Sequence, residues 1–409
     1  MNILLINRSD SLGGAAKASF RLMNALRRLG HDARMLVLDK SSGLPCVELA
    51  AKPWRAKGAF LAERLQILLN NGFSRDTLFQ IDTATHGIDI SSHPWVRQAD
   101  VLMLGWVNQG MLSVDGVRRL AALKKPMIWT MHDMWNCTGV CHHAYDCRRY
   151  TGRCTACPLT GKQADDISTA AQRRKGELYA AAGIHFVAVS HWLEQCCRQS
   201  SLMRDAHITV IGNPLDVAAC DCTRRAGGDN SDKFVVAMGA ARLDDPVKGF
   251  DTLIAATRHI ADCRPELAQR LELLLYGTLR HAELLGQLAL PFTHLGYVDN
   301  LDAVYGRADA VLSLSHYESF GYTLVEGLAH GCIPVTTGEG GQVDIVRHGQ
   351  NGCVLAGRSP QAVADGLQWA ATHPLDRRRL HDDALQRFDA PVIAGRYIHL
   401  IDSLIHQDF

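Results

Sequence analysis

Residues 313–352 read SLSHYESFGYTLVEGLAHGCIPVTTGEGGQVDIVRHGQNG. The apolar run at residues 310–314 predicts a buried parallel strand, and residues 322–330 have the apolar spacing of a helix. The loop between them then lies where free N–H groups and the helix dipole favour anionic ligands. Glu318 lies in this loop, and Glu326 follows roughly 12 Å further along the helix. We interpret the pair as one carboxylate for each end of an elongated, hydroxyl-rich ligand, with a helix cap and a solvated helix face as the alternative.

The segment after this helix extends the pattern. Residues 331–335, GCIPV, predict a second short strand, and the glycines of residues 338–341 open another helix amino terminus. The pattern E-x7-E, then G-x-P-V, a GG loop and N-G-x-x-V, resembles the family-4 retaining glycosyltransferases of the GT-B fold. The resemblance implies that Glu318 contacts the donor sugar and Glu326 the nucleotide ribose. It also makes donor-binding candidates of the residues that turn the strand end into the helix: Phe320, Gly321 and Tyr322.

A second nucleotide-binding signature precedes this stretch. Residues 235–239 predict a strand, and Arg242 and Lys248 follow it six residues apart. The resemblance implies that they clamp the donor diphosphate, which arginine can bind in a bidentate manner. The alternative is that both are ordinary surface residues. Residues 294–298 predict a strand that resembles the family's strand before the base-contacting loop. The resemblance makes Tyr297 a candidate under the nucleobase.

Composition describes an ordinary globular protein. The chain has 409 residues, 47 % apolar content and a formal charge of +1. No run of about 18 apolar residues occurs, so nothing is expected to span a bilayer. The first residues, MNILLINRSD, lack the basic start and cleavage site of a signal peptide. We therefore expect a cytoplasmic protein, and a peripheral position on the inner face of the plasma membrane is compatible with this expectation.

Charge is unevenly distributed along the chain. Residues 1–213 contain 26 Lys and Arg against 17 Asp and Glu, whereas residues 214–409 contain 17 against 25. This asymmetry predicts an anionic partner for the first half. No nucleic-acid-binding module is visible, so an anionic membrane surface or a diphosphate-linked lipid fits better than nucleic acid. Residues 52–72 are amphipathic and basic, which suits a helix on a membrane surface, although a core-facing helix explains the pattern equally well.

The amino-terminal segment reads strand, glycine loop, helix, strand. Residues 1–7 and 33–38 predict the strands, and Gly13 and Gly14 open the helix between them. Asp39 supplies the acid of a dinucleotide fold, but the G-x-G-x-x-G pattern is missing. The glycine pair resembles a donor-phosphate or acceptor loop of GT-B transferases, and a simple tight turn is the alternative.

His132 and Asp133 follow a predicted strand at residues 127–131. Strand ends carry the chemistry in open sheets, and the resemblance places His132 beside the anomeric region of the donor sugar. A histidine satisfied within its own loop is the alternative. The run H-D-x-W-x-x-T-G at residues 132–139 is similar to the colanic-acid-type branch of exopolysaccharide transferases.

Thirteen cysteines occur, and in a reducing compartment they are expected to be free thiols. Four of them, in the spacing C-x5-C-x6-C-x2-C, are Cys141, Cys147, Cys154 and Cys157. Four soft ligands in one loop suit a tetrahedral structural zinc, with Cys137, His142 and His143 as spare candidates. An iron–sulfur cluster and unliganded thiols are the alternatives.

The resemblance implies an α/β protein of the GT-B fold with two Rossmann-like domains and a central cleft. We expect an acceptor-binding domain over residues 1–213, a nucleotide-sugar-binding domain over residues 214–390 that begins with a linker at 215–232, and a helix over residues 391–409 that crosses back. The implied reaction is transfer of a sugar, with retention of configuration, from a nucleotide-diphosphate donor to a glycan acceptor. The implied acceptor is a lipid-linked oligosaccharide carried on a polyprenyl diphosphate. Exopolysaccharide or O-antigen biosynthesis is the implied setting, and catalysis requires no cofactor. The alternatives are an NAD-dependent oxidoreductase and an inactive metal-binding assembly factor.

Overall fold

The computed structural model describes residues 1–161, 164–223 and 233–406. The chain divides into two units, one formed by Met1–Pro214 with Ala390–Phe409 and the other by Leu215–Asp389. Of the linker predicted at residues 215–232, residues 224–232 lie outside the described residues. No helix in the described ranges is long and apolar enough to cross a membrane.

Parallel strands form the sheet of the first unit. They are β1 (Asn2–Ile6), β2 (Asp32–Val37), β3 (Val47–Leu49), β4 (Val101–Leu104), β5 (Met127–Met131), β6 (Ile184–Ala188) and β7 (Ile208–Val210). Their order is β3-β2-β1-β4-β5-β6-β7, so the direction of winding reverses between β1 and β4. Every residue of β4 and β5 is buried, as expected for central strands covered on both faces.

Helices cover this sheet. They are α1 (Gly14–Arg28), α2 (Pro53–Asn70), α3 (Pro94–Gln98), α4 (Val114–Ala121), α5 (Ile167–Ala181) and α6 (His191–Gln199). Side-chain caps begin several of them: Ser113 accepts a hydrogen bond from the Gly116 N–H, and Asp166 accepts from the Ser168 and Thr169 N–H groups. Helix α5 follows the loop that carries Cys154 and Cys157.

The second unit repeats the architecture. Its strands are β8 (Phe234–Arg242), β9 (Leu271–Thr278), β10 (Phe292–His294), β11 (Ala310–Ser313), β12 (Ile333–Thr336) and β13 (Cys353–Val354). Its helices are α7 (Phe250–Cys263), α8 (Pro265–Arg270), α9 (Asp302–Tyr305), α10 (Tyr322–Ala329), α11 (Pro360–Thr372) and α12 (Arg377–Phe388). The strands are parallel in the order β10-β9-β8-β11-β12-β13, so winding reverses between β8 and β11. A crevice outside the carboxyl ends of two such strands is where open α/β sheets bind ligands.

The last helix, α13 (Ala390–His406), belongs to the first unit and packs against α1. Its apolar face joins the core that contains β1 and α1, and the Tyr397 hydroxyl is hydrogen-bonded to the Thr130 hydroxyl at 3.0 Å. The final segment of the chain therefore completes the core of the first unit.

One predicted strand differs in the structure. The sequence placed it at residues 294–298, whereas β10 spans Phe292–His294. Gly296 has a φ of 67°, in the left-handed region, which ends extended pairing before Tyr297. Tyr297 therefore lies in a loop with 66 % of its surface exposed.

Candidate functional site

Charged side chains meet at the carboxyl ends of β8 and β11. Arg242 ends β8, and its Nη2 lies 2.9 Å from Oδ2 of Asp245. Lys248 Nζ donates to Oε2 of Glu318 at 2.9 Å, and the field of Glu318, opposed by burial, raises the pKa of Lys248. Both cationic side chains are about one-third exposed, at 29 % for Arg242 and 31 % for Lys248. The structure thus brings Arg242, Lys248 and Glu318 to one edge of the sheet, where they remain accessible to an anion.

A short turn positions Lys248. Asp245 accepts a hydrogen bond from the Val247 N–H, and Pro246 begins the 3-10 helix Pro246–Lys248. Gly249 then adopts a φ of 73°, and a Cβ there would lie 2.3 Å from the carbonyl oxygen of Leu314. Only glycine permits this approach of α7 to the end of β11. Asp245 was not among the predicted site residues; its one sequence signal is an acid before proline, typical of a helix start.

The double-glycine loop holds the backbone of Glu318. Gly341 N–H donates to the Glu318 carbonyl at 2.7 Å, and a Cβ at Gly340 would lie 2.5 Å from the same oxygen. Gln342 is fully buried behind the loop, and it accepts a hydrogen bond from the Ser313 hydroxyl at 2.5 Å while donating to the Ser315 carbonyl. Sequence analysis missed Gln342, whose only signal is a polar residue after a glycine pair.

Glu326 lies on α10, away from the Lys248–Glu318 pair. Helix α10 begins after Gly321, which has a φ of 111° and provides no side-chain cap. Glu326 is half-buried, and its charge adds to burial in raising the pKa of Tyr276. The Tyr276 hydroxyl is 2.6 Å from that of Tyr305. The predicted ribose-binding carboxylate therefore lies beside a buried pair of tyrosines.

The aromatic candidates differ in exposure. The Phe320 ring is 4 % exposed and makes edge contacts with Phe388 and Tyr322, so it is a core side chain and only its backbone can face a ligand. Tyr322 is half-buried at the start of α10.

In the first unit, Gly13 and Gly14 lie at the amino terminus of α1. Gly13 has a φ of 87°, and a Cβ there would meet no heavy atom within 4 Å. Gly14 is the first residue of the helix, which has no side-chain cap. The backbone requires glycine at position 13, and the space above it is open.

His132 follows β5 and borders a cavity of about 10 Å³ with Gly105, Asn213 and Tyr397. Its Nε2 is buried and has no hydrogen-bond partner in the described part of the chain. Burial lowers the pKa of His132 to about 4, because the charged ring would be poorly solvated. The ring is therefore neutral at pH 7, and its Nε2 is without a hydrogen bond among the described residues.

The neighbouring Asp133 belongs to a buried charged network. Its Oδ2 accepts hydrogen bonds from Trp106 Nε1 and His142 Nδ1, both at 2.8 Å, and His142 Nε2 lies 2.7 Å from Oδ2 of Asp82. Burial opposes a charge on His142, but the two carboxylates outweigh it and raise its pKa to about 10. Arg64 also pairs with Asp82. Both ring nitrogens of His142 are engaged, so it is not the spare metal ligand that the sequence suggested.

The four predicted metal-binding cysteines, Cys141, Cys147, Cys154 and Cys157, border one cavity of about 20 Å³. All are free thiols, and burial raises the pKa of Cys141 to about 12 and that of Cys154 to about 11. Within residues 1–161, 164–223 and 233–406, no three His, Cys, Asp or Glu side chains converge in positions that could hold a metal ion. The thiols therefore share a cavity without converging on one point.

Helix α2 turns an apolar face to solvent. Trp54 is 71 % exposed, and Leu61, Leu65 and Leu69 are each more than half exposed. The buried face instead carries Glu63 with Arg64, the latter paired with Asp82. The expectation of a core-facing apolar stripe is therefore wrong for these leucines, and the helix leaves an apolar surface beside exposed basic residues, Lys52, Arg55 and Lys57.

Comparison with known proteins finds a family match within the second unit. Residues 223–387 match the family described as "Glycosyl transferases group 1". A D-inositol 3-phosphate glycosyltransferase of Actinosynnema mirum is 33 % identical over 178 residues, covering 40 % of this chain and 42 % of that protein. A phosphatidyl-myo-inositol mannosyltransferase of Mycobacterium tuberculosis is 28 % identical over 212 residues, covering 47 % and 53 %. The chain thus spans about half the length of the curated relatives that it matches.

Solved structures resemble the whole chain. HepE of Anabaena, in complex with UDP and glucose, superposes with a TM-score of 0.62 at 17 % identity, covering 98 % of this chain and all of that one. WaaG, a glycosyltransferase involved in lipopolysaccharide biosynthesis, gives a TM-score of 0.61 at 12 % identity, covering 98 % and 99 %. At such identities the likeness establishes the fold: two Rossmann-like parallel-sheet domains of the GT-B type.

Proposed function

We propose that the protein is a retaining glycosyltransferase that moves a sugar from a nucleotide-diphosphate donor to a hydroxyl of a glycan acceptor. The observation that carries this proposal is the placement of Arg242, Lys248 and Glu318 at the switch point between β8 and β11. The family match over residues 223–387 includes all three residues. Structures of HepE with UDP and with UDP-glucose support a nucleotide-sugar donor.

The cations suit the chemistry of the leaving group. As the bond from sugar to diphosphate breaks, negative charge grows on the diphosphate. A fixed Arg and Lys therefore stabilise the transition state more than the ground state. The Lys248–Glu318 contact keeps the ammonium in position until the diphosphate arrives as a further partner. Glu318 then holds sugar hydroxyls, Glu326 holds the ribose, and neither acts as a nucleophile.

Kinetics of two alanine variants test these roles. Glu318→Ala is expected mainly to depress kcat, because its contacts to the sugar tighten as the sugar becomes oxocarbenium-like. Glu326→Ala is expected to raise the KM for the donor, by the factor that corresponds to a loss of about 1 to 3 kcal/mol of binding free energy. The effect on kcat is expected to be smaller, because contacts to the ribose are shared by the ground and transition states. Normal kinetics in both variants, together with lowered melting temperatures, would leave the glutamates a purely structural role.

For the acceptor we propose a lipid-linked oligosaccharide of the polyprenyl diphosphate type, in exopolysaccharide or O-antigen biosynthesis. The excess of basic residues in the first half of the chain and the apolar, basic surface of α2 support an acceptor at an anionic membrane. The names of the curated relatives suggest an inositol-containing acceptor as the second candidate.

Vesicle binding tests the membrane surface. The double variant Leu65→Ser with Leu69→Ser is expected to weaken co-sedimentation with anionic vesicles at least about tenfold, since each buried CH₂ contributes about 0.8 kcal/mol. Both leucines are 56 % exposed, so the fold should survive. Leu29→Ser, at a 45 % exposed position after α1, is the matched control and should bind as the wild type does. Equal binding of the wild type and both variants would contradict the proposal that α2 contacts the membrane.

Release of nucleoside diphosphate tests the proposed reaction. We expect one sugar nucleotide among the UDP, GDP and ADP series to be consumed when a polyprenyl-diphosphate-linked glycan is supplied. Faster release with phosphatidylinositol would instead select the inositol-containing acceptor. No release with any donor and acceptor, from protein that melts cooperatively, would contradict the proposal.

A further inference from the structure

One arginine contacts two of the loops that surround the Lys248–Glu318 pair. Arg358 lies between β13 and α11, and its guanidinium donates to the His316 carbonyl at 3.0 Å and to the His316 ring nitrogen Nδ1. Its Nη2 also pairs with the Glu339 carboxylate. A guanidinium only donates hydrogen bonds, so Nδ1 of His316 accepts. Arg358 therefore joins the loop after β11 to the loop after β12.

The loop after β11 in turn holds the short turn that carries Lys248. The His316 N–H donates to the Val247 carbonyl at 2.7 Å. Lys248 is the next residue, and its Nζ donates to Glu318, which follows His316 by two residues. The backbone hydrogen bond and the ion pair thus join the same two segments, so a displacement of His316 would displace both Lys248 and Glu318.

The loop after β12 holds the backbone of Glu318 from the other side. Gly341 N–H donates to the Glu318 carbonyl at 2.7 Å, and Glu339 precedes this glycine by two residues. The Glu339 carbonyl accepts a hydrogen bond from Gln342 Nε2 at 3.0 Å. The carboxylate that pairs with Arg358 therefore belongs to the same short loop as the N–H group that fixes Glu318.

The backbone of Arg358 is itself well fixed. The next residue, Ser359, caps α11 by accepting a hydrogen bond from the Ala362 N–H at 3.1 Å. Before Arg358, the Leu355 N–H donates to the carbonyl of Thr336, the last residue of β12, at 2.8 Å. Helix α11 packs against α7, β12 and β13. The guanidinium thus reaches both loops from a rigid part of the second unit.

We propose that Arg358 is a positioning residue that keeps Lys248 and Glu318 in the geometry required for transfer of the sugar, a role that rests on the function proposed above. It acts through the two loops and not on the donor. Its planar fork of N–H groups fixes both loops at once. Charged groups that are held in place in advance need no reorganisation during the reaction, and a displacement of about 1 Å can lower the rate about 100-fold.

Hydrogen–deuterium exchange of the full-length protein tests this contact without any substrate. In Arg358→Met, the amides of His316 and Gly341 are expected to exchange about tenfold faster than in the wild type, because the loops that hold them open more often. Arg264→Met is the matched control, since both arginines are 26 % exposed and Arg264 likewise pairs with a carboxylate, that of Asp365. It should leave both amides unchanged. Equal exchange in the two variants would overturn the proposal.

Kinetics separate positioning from a general loss of stability. Arg358→Met is expected to lower kcat by about 10- to 100-fold with a smaller change in the KM for the donor, because Lys248 and Glu318 act most strongly in the transition state. Arg358→Lys retains the charge but not the fork, so it should recover little of the lost kcat. Arg264→Met should turn over as the wild type does.

The two experiments distinguish this inference from the proposed reaction. Wild-type kcat in Arg358→Met, or full recovery of kcat in Arg358→Lys, would overturn the positioning role. If the wild-type protein consumes no donor, the proposed function fails, and the exchange of the His316 and Gly341 amides still decides whether Arg358 holds the two loops.

Discussion

Replacing Arg242 with alanine is expected to lower turnover by about 100-fold or more while the fold survives. The guanidinium ends β8, is 29 % exposed, and pairs with Asp244 and Asp245. The Asp244 side chain is 3 % exposed and loses an ion pair, but it keeps the hydrogen bonds from the Arg280 and His281 N–H groups, so we expect the fold to survive. In the proposed reaction, the variant lacks a fixed positive charge beside the leaving diphosphate, on which negative charge accumulates. Steady-state kinetics with a saturating donor measure the effect.

Arg258→Ala is the matched control for this experiment. Arg258 is an exposed arginine on α7 of the same unit, and its Nη2 donates to Gln287 Oε1. It should leave turnover unchanged. Equal turnover in the Arg242 and Arg258 variants would remove Arg242 from the donor site.

Replacing His142 with alanine is expected to destabilise the first unit by about 3 to 5 kcal/mol. The imidazolium lies between Asp82, which is fully buried, and Asp133, and the change leaves the two carboxylates without their shared cation. Arg64 still contacts Asp82, so the larger loss falls on Asp133, which keeps its hydrogen bonds from Trp106 Nε1 and the Trp135 N–H. Urea unfolding followed by tryptophan fluorescence measures the change in free energy.

The control for this substitution is His207→Ala, which removes an exposed histidine of the same unit that stacks on His185. It is expected to change the free energy of unfolding by about 0.5 kcal/mol or less. If the His142 variant unfolds at the same urea concentration as this control, the network around Asp133 contributes nothing to stability.

The strand-and-loop pattern predicted the second unit well, because its signals are local. Apolar runs predicted two strands, with Arg242 and Lys248 after the first and Glu318 after the second, and the structure contains both strands as β8 and β11. Asp245 escaped notice although its partners, Arg242 and Val247, are close in sequence. Other roles escaped notice because they arise from contacts between segments that are distant in the chain. Gln342, for example, joins the end of β11 to the loop after β12.

The orientation of helix α2 could not be predicted from the sequence. Its amphipathic pattern was visible, but the sequence does not say which face is buried. Glu63 and Arg64 would ordinarily be assigned to solvent, yet both are buried, because Arg64 pairs with Asp82 and Glu63 accepts hydrogen bonds from the Thr83 and Ala84 N–H groups. Partners about 20 residues further along the chain therefore decided the orientation of the leucines.

Direct titration of nucleotides tests the central claim, that the second unit binds a nucleotide-diphosphate sugar at the ends of β8 and β11. UDP, GDP and ADP, with their glucose conjugates, are titrated into wild-type protein and into Arg242→Ala and Glu326→Ala by calorimetry, with no acceptor required. We expect one base to bind at one site per chain, with an affinity that falls about tenfold or more in each variant, since each loses a charged hydrogen bond worth about 1.5 to 3 kcal/mol. Binding of no nucleotide to the wild type, or binding that both variants leave unchanged, would contradict it.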